Sequence, residues 1–462
     1  MKMFDKAMYF IEREKEISDI KQALEAGNPS LIIVRGRRRM GKTALLGKVL
    51  SEKDVYFEAD RTDPSLQISA LARAISTVFP GFGETVFPDW KSLFLAFNQR
   101  VSERISLCLD EFPYLVECSP SLLSVLRELL NTETDRLKFH LILCGSSQQM
   151  MYNLTHGPDA PFYGKTAVDI AITAFPAFFL QEALGVDAQS SIEHYAVWGG
   201  VPRYWRLAET TVALKDAVWD HILTDTGALY EEPARLLRDD MKDIVKAESI
   251  LTAIGSGASR LSEIAARLGE PATNLSRPLA KLIDLGYLER DIPFGEPEKN
   301  SKKSRYRMAD PFLFLYYKVV VPNRSFIALK RDVPVLKAFA SAFPDLVSYW
   351  WKHLCRDAVS GNEIDGIRFG EARSWEELDV VAESLDHKVL LIGVCKWTER
   401  VNARNLTEKM QGMTSFLPFK GRKKVLVKLF TKESPAVELG NALLPDDVFA
   451  LLRAKNAGQA VL

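Results

Sequence analysis

The stretch Leu31-Ile32-Ile33-Val34-Arg35-Gly36-Arg37-Arg38-Arg39-Met40-Gly41-Lys42-Thr43-Ala44-Leu45-Leu46 decides how the rest of the chain is read. Four consecutive aliphatic residues form the pattern of a strand buried on both faces, and Ala44-Leu45-Leu46 begin an apolar helical run. Between them Gly36, Gly41, Lys42 and Thr43 meet the spacing GxxxxGKT. Glycines let the backbone curl so that successive N–H groups face inward, and the following helix offers the positive end of its dipole. Lys42 supplies a mobile ammonium for the outer phosphates, and Thr43 a hydroxyl where a magnesium ion sits. The nine residues Gly36, Arg37, Arg38, Arg39, Met40, Gly41, Lys42, Thr43 and Ala44 are therefore a candidate triphosphate cradle, with no separate role for the three arginines.

A second element fits the first. Ile105-Ser106-Leu107-Cys108-Leu109-Asp110-Glu111-Phe112 is an apolar strand ending in two carboxylates. In a phosphate-loop site an aspartate at such a tip orders the magnesium shell, and an adjacent glutamate polarises the attacking water. Lys42, Asp110 and Glu111 are the candidate catalytic residues, with Thr43 and Asp110 as metal ligands. Phe139 to Cys144 is a third strand whose tip carries Gly145-Ser146-Ser147. Ligands gather at the C-terminal ends of parallel strands, so Ser146 or Ser147 either senses the terminal phosphate or caps the next helix.

The chain has 462 residues, room for two to four domains. Its 60 basic and 60 acidic residues cancel, so any contact with nucleic acid must be local. Five cysteines, without CxxC spacing or even pairing, are expected as reduced core thiols of a cytoplasmic protein. Neither a signal-peptide pattern nor an apolar span of about 20 residues is present, so no membrane partner is expected.

Periodicity predicts helices over Phe10–Ala26, Leu66–Phe79, Trp90–Arg104, Pro176–Leu184 and Asp216–Leu237, and strands over Val55–Ala59 and Ile170–Ala174. The ordered set FIERE, RGRRRMGKT, LCLDEF, LILCGSSQQMM, FYGK and WGGVPRYW resembles the prokaryotic AAA-type ATPases called the archaeal ATPase family, over roughly residues 1 to 230. That resemblance implies an additional-strand P-loop sheet with a helical lid, ATP and Mg2+ as ligands, and Gly199, Gly200 and Pro202 near the nucleotide base. It makes Arg203 a candidate sensor of the phosphates, alongside Pro202 in the nucleotide-binding set. Where the family carries YGR this chain has Tyr163-Gly164-Lys165, and lysine lacks the rigid guanidinium fork. Family members often form rings, so a homo-oligomer is an open expectation; the protein partner is not legible.

Lys246–Ile254, Leu261–Leu268 and Ser276–Leu285, followed by Tyr287–Arg290, give the order of a winged helix-turn-helix. Pro278 must lie in the first turn of the third helix or kink it. Arg277 and Lys281 on that helix, with Lys299, Lys302, Lys303, Arg305 and Arg307 in the wing, are candidate contacts to DNA phosphates; a solvated wing is the other reading.

The last third has helical patterns over Val335–Val347 and Phe343–Val359. An acidic strand over Trp375–Val381 and an apolar one, Val389 to Trp397, follow. This resembles the PD-(D/E)xK nuclease fold. The position that carries a metal-binding carboxylate in that family is Val394, which offers magnesium no oxygen. Asp379 and Lys396 are the remnant, and Glu371, Glu376 or Glu377 the candidate substitutes. Lys420–Lys428 reads as a basic, solvated strand edge.

The expected architecture is α/β: a P-loop ATPase core over 1–175, a helical lid over 176–240, a winged helix-turn-helix over 241–310 and a nuclease-like domain over 311–462. The expected function is ATP binding and hydrolysis coupled to the winged-helix and nuclease-like domains. The alternatives are an ATP-bound DNA-binding or signalling switch with little turnover, and an ATP-regulated, metal-dependent nuclease.

Overall fold

A computed structural model describes residues 13–26, 28–132, 137–157, 159–208, 213–241, 243–299, 301, 303–435 and 441–460. The chain divides into two compact units, Met1–Ala174 and Phe175–Leu462.

The first unit is built on five parallel strands: β1 (Leu31–Arg35), β2 (Val55–Glu58), β3 (Ile105–Asp110), β4 (Phe139–Gly145) and β5 (Thr166–Ala171). Their spatial order is β2-β3-β4-β1-β5, so β4 stands between the phosphate-loop strand and the strand ending in carboxylates. Every residue of β3 and β4 is buried, which is why both read as unbroken apolar runs. Helices cover the sheet. Pro64–Ser76 starts on a proline, whose missing N–H costs nothing in a first turn, and Trp90–Arg100 is capped by Asp89 accepting from the Ser92 N–H. Leu93, Phe94, Phe97, Leu107, Phe139 and Leu141 lie at the centre of the core on one face.

Three expectations shift here. The helix predicted to reach Arg104 stops at Arg100, because Val101 turns extended to lead into β3. The first helix is Glu14–Glu25, with Phe10 to Glu12 outside the described residues. The last strand starts at Thr166 rather than Ile170: as an edge strand with one half-exposed face it has no apolar run to announce it.

In the second unit the stretch expected as one helix over Asp216–Leu237 is two, Leu214–Ile222 and Glu232–Asp240. Between them Gly227 packs so tightly that a Cβ would stand 2.6 Å from the His221 carbonyl oxygen. The winged helix-turn-helix follows as Ile244–Gly255, Leu261–Leu268 and Ser276–Asp284, then the antiparallel pair β6 (Leu288–Asp291) and β7 (Arg305–Met308). Pro278 is the third residue of its helix, in the first turn, and leaves the helix unbroken.

Asp310 caps Pro311–Leu315, a π-helical turn spans Tyr316–Val320, and the two helical patterns before Val359 merge into one helix, Asp332–Val359, with Pro344 inside it. After the short hairpin of β8 (Glu363–Ile364) and β9 (Ile367–Arg368), a second sheet forms from β10 (Arg373–Trp375), β11 (Leu378–Glu383), β12 (Val389–Lys396), β13 (Lys424–Thr431) and β14 (Ala442–Leu443), in that order. The first three run antiparallel, and β12, β13 and β14 are parallel, with helix Ala403–Met413 joining β12 to β13. The acidic strand expected over Trp375–Val381 is a hairpin: Trp375 pairs with Leu378, and Glu376, at φ 48°, makes the turn with Glu377. Nor is Lys428 on a solvated edge. β13 lies inside the sheet, and Lys428, 5% exposed, is 2.9 Å from Asp365.

Candidate active site

The loop between β1 and helix Lys42–Val49 uses its glycines for two different reasons. At Gly36 the backbone passes so close to β5 that a Cβ would meet the Ile172 carbonyl oxygen at 2.5 Å. At Gly41 there is open space, but φ is 92°, a conformation that costs a side-chain-bearing residue about 1–2 kcal/mol. Arg39 shares the left-handed region at φ 70°. The resulting curl turns Gly36 and Arg37 carbonyls toward Lys42, whose ammonium donates to them at 2.9 and 3.2 Å. Lys42, Arg37 and Met40 are buried, whereas Arg38, Thr43 and Ala44 are exposed.

The tips of β3 and β4 meet this loop. Asp110 is 2% exposed; its Oδ2 accepts from the Thr43 hydroxyl at 3.1 Å and from the Tyr56 hydroxyl at 2.7 Å, and its Oδ1 accepts from the Glu111 N–H at 2.8 Å. Glu111 breaks the strand in a left-handed conformation (φ 50°), and helix Phe112–Cys118 starts behind it. That helix packs against the end of β4: a Cβ on Gly145 would stand 2.5 Å from Pro113 Cδ. The close approach brings Ser146, 4% exposed, into reach of Glu111, and its hydroxyl donates to Oε2 at 2.7 Å. Glu58, at the tip of β2, has its pKa raised by burial and then by the charges of Asp110 and Glu111.

Lys42, Thr43, Asp110, Glu111 and Ser146 thus converge from three strand tips that are far apart in sequence. Tyr56 is a member of the site that sequence reasoning missed. It reads as an ordinary strand residue, and only the β2–β3 register, Tyr56 beside Cys108 and Glu58 beside Asp110, reveals it. Pro202 and Arg203 belong to the second unit, where they open the short helix Pro202–Trp205. The two glycines before them serve packing there. A Cβ on Gly200 would stand 2.1 Å from the Phe175 carbonyl oxygen, and the Trp205 indole N–H donates to the Gly199 carbonyl at 2.7 Å.

The donor set fits magnesium: an exposed hydroxyl beside a buried carboxylate is the ligand pair that phosphate-loop sites offer, the remaining positions going to phosphates and water. A parallel sheet with this inserted strand, a glycine loop running into a helix, and an Asp-Glu pair on the neighbouring tip define a P-loop ATPase domain. Residues 10–205 match the family described as "ATPase domain predominantly from Archaea". Residues 244–291 match "IclR helix-turn-helix domain", and residues 316–408 match "Archaea bacterial proteins of unknown function". An uncharacterized protein of Methanocaldococcus jannaschii is 26% identical over 399 residues, 84% of this chain and 88% of that protein. The solved Walker-type ATPase of Pyrococcus abyssi is 21% identical, with a TM-score of 0.51 over 67% of this chain and 96% of its own, a likeness of fold.

The remnant pair Asp379 and Lys396 lines a cleft of about 350 Å³ with Lys352, Glu376, Glu377, Val394, Leu406, Lys409, Met410 and Met413. Its donors do not fit a catalytic metal. Asp379 is engaged on both oxygens, by the Lys352 ammonium at 2.9 Å and the Cys395 N–H at 2.9 Å. Two of the three substitutes are engaged as well, Glu377 with Lys409 at 2.5 Å and Glu371 with Arg373 at 2.6 Å, and Glu376 stands in the β10–β11 turn. Val394 is 9% exposed and packs in the apolar cluster beneath. Among the described residues no group of three or more His, Cys, Asp or Glu side chains is placed to hold a metal ion, and no helix is long and apolar enough to cross a membrane.

On the winged helix, Arg277 and Lys299 are exposed, and Arg305 projects from β7. Lys303 and Arg307 are already paired, with Glu296 at 2.7 Å and Asp291 at 2.5 Å. Lys302 lies outside the described residues.

Proposed function

We propose that the protein binds ATP at the loop from Gly36 to Ala44 and hydrolyses it, and that nucleotide state governs engagement of duplex DNA by the winged helix. The observation that carries the first part is the run of contacts that joins Thr43, Asp110, Glu111 and Ser146 at the end of the phosphate loop, whose carbonyls hold the Lys42 ammonium. Lys42 exchanges its two loop carbonyls for the outer phosphate oxygens. Thr43 and Asp110 would hold a magnesium ion, which when bound would neutralise charge on those oxygens. Glu111 orients the attacking water, and Ser146 fixes the glutamate's rotamer. The DNA part rests on the helix-turn-helix match and on the exposed Arg277, Lys299 and Arg305, which suit phosphate contacts rather than base readout. Nuclease chemistry is not part of the proposal, because in the cleft Asp379 is paired with Lys352 and Glu377 with Lys409, and Val394 stands where a metal-binding carboxylate is needed.

Steady-state ATP turnover tests it. Lys42→Ala is expected to abolish binding and turnover; Glu111→Gln is expected to keep binding and lower turnover by about 100-fold or more, the usual weight of a positioned base. Turnover unchanged in both variants refutes the assignment. A second reading, a nucleotide-bound switch with slow turnover, is favoured by the bond from Ser146 to Glu111, which occupies the glutamate. Faster turnover in Ser146→Ala than in the parent distinguishes it.

A further inference from the structure

Asp110 is a buried carboxylate held by hydrogen-bond donors alone: among the described residues no cationic side chain ion-pairs with it. The three donors are not equivalent. The Glu111 N–H is backbone and serves Oδ1, whereas the hydroxyls of Thr43 and Tyr56 share Oδ2. Thr43 is an exposed loop residue, committed to the metal when nucleotide binds. Tyr56 sits on β2, paired along its whole length with β3, and its 2.7 Å bond is the shorter of the two.

The register explains why a tyrosine stands there. Tyr56 is beside Cys108, two residues before Asp110 and therefore on the same face of the sheet. Only a long, rigid side chain reaches from that rung to the strand tip; a serine or threonine would fall short.

We propose that Tyr56 is a positioning residue for Asp110: its hydroxyl locks the carboxylate's rotation so that the face beside Thr43 is presented to a divalent cation. The inference rests on the ATP-binding reading above and adds a residue outside the phosphate-loop and Asp-Glu motifs. Losing one hydrogen bond to a charged group corresponds to about a ten-fold weaker grip on the cation.

The test uses the full chain and the fluorescent analogue mant-ATP, titrated in EDTA and again across a magnesium series. For Tyr56→Phe the half-saturating magnesium concentration is expected to rise about ten-fold, while affinity in EDTA, which depends on the loop, stays within about two-fold. In an Asp110→Asn background Tyr56→Phe is expected to have no further effect, as a coupled pair requires. An unchanged magnesium requirement, or an equal loss in EDTA, overturns the role of Tyr56 while leaving ATP binding intact. Failure of the parent protein to bind mant-ATP with magnesium overturns both.

Discussion

Gly36→Ala tests the geometry on which the site depends. The added Cβ would lie 2.5 Å from the Ile172 carbonyl oxygen and 2.9 Å from its Cβ, where ordinary contact begins at 3.4 Å, so the two backbones must part by about 0.9 Å (3.4 less 2.5). Parting them strains the bond from the Ile172 N–H to the Arg35 carbonyl, 2.6 Å long, at the end of the β1–β5 pairing. Overpacking of this kind costs about 1–3 kcal/mol, and a weakened buried hydrogen bond about 1 kcal/mol more. Against that, alanine restricts the unfolded chain by about 0.4–1 kcal/mol. The net expectation is about 2–3 kcal/mol, or about 5–10 °C in the melting temperature of a unit this size. Differential scanning calorimetry of the full chain, with and without ATP, measures it, and the upward shift that ATP produces should shrink as the loop is displaced. Because the closest atom is a main-chain oxygen, Ile172→Ala is expected to give no rescue. A melting temperature within about 1 °C of the parent, or rescue by Ile172→Ala, refutes the reasoning. Gly41→Ala, facing open space at φ 92°, should cost only about 1–2 kcal/mol of backbone strain.

Three further outcomes are expected. His194 is driven by burial from 6.5 down to about 4, and its Nδ1 has no partner. Its folded pKa is depressed, so the unfolded chain takes up the proton first, and stability present above pH 6.5 falls by about 3 kcal/mol toward pH 4. Urea midpoints across that window should lose this slope in His194→Gln; an unaltered slope rejects the assignment. Arg277→Ala and Arg305→Ala should each lower the salt dependence of duplex DNA affinity by about one ion, whereas Arg307→Ala, already paired with Asp291, should not; fluorescence anisotropy at graded salt decides. Lys352→Ala leaves Asp379 without its cation and should cost about 1–3 kcal/mol, between the exposed and buried limits for a broken ion pair, with recovery in the double variant Lys352→Ala/Asp379→Asn.

What the amino-acid order settles unaided is chemistry that is covalently adjacent. Gly36 to Thr43 carries strand, curl and helix start within one short segment, and Asp110-Glu111 ends an apolar run, so both are visible without knowing any partner strand. The winged-helix order is legible for the same reason: helix periods and turn residues are local properties. Tertiary structure decided what depends on register and reach. Tyr56 joins Asp110 only because β2 lies beside β3; Lys352 meets Asp379 only because a 28-residue helix passes over β11. Glu376 and Glu377, read as part of a strand, became a turn because Trp375 pairs back onto Leu378. Lys428, read as solvated, became a buried ion-pair member because β13 gained a neighbour on each side. Pairing between distant segments sets which face of a strand is covered and what stands opposite a charge, and no local pattern encodes that.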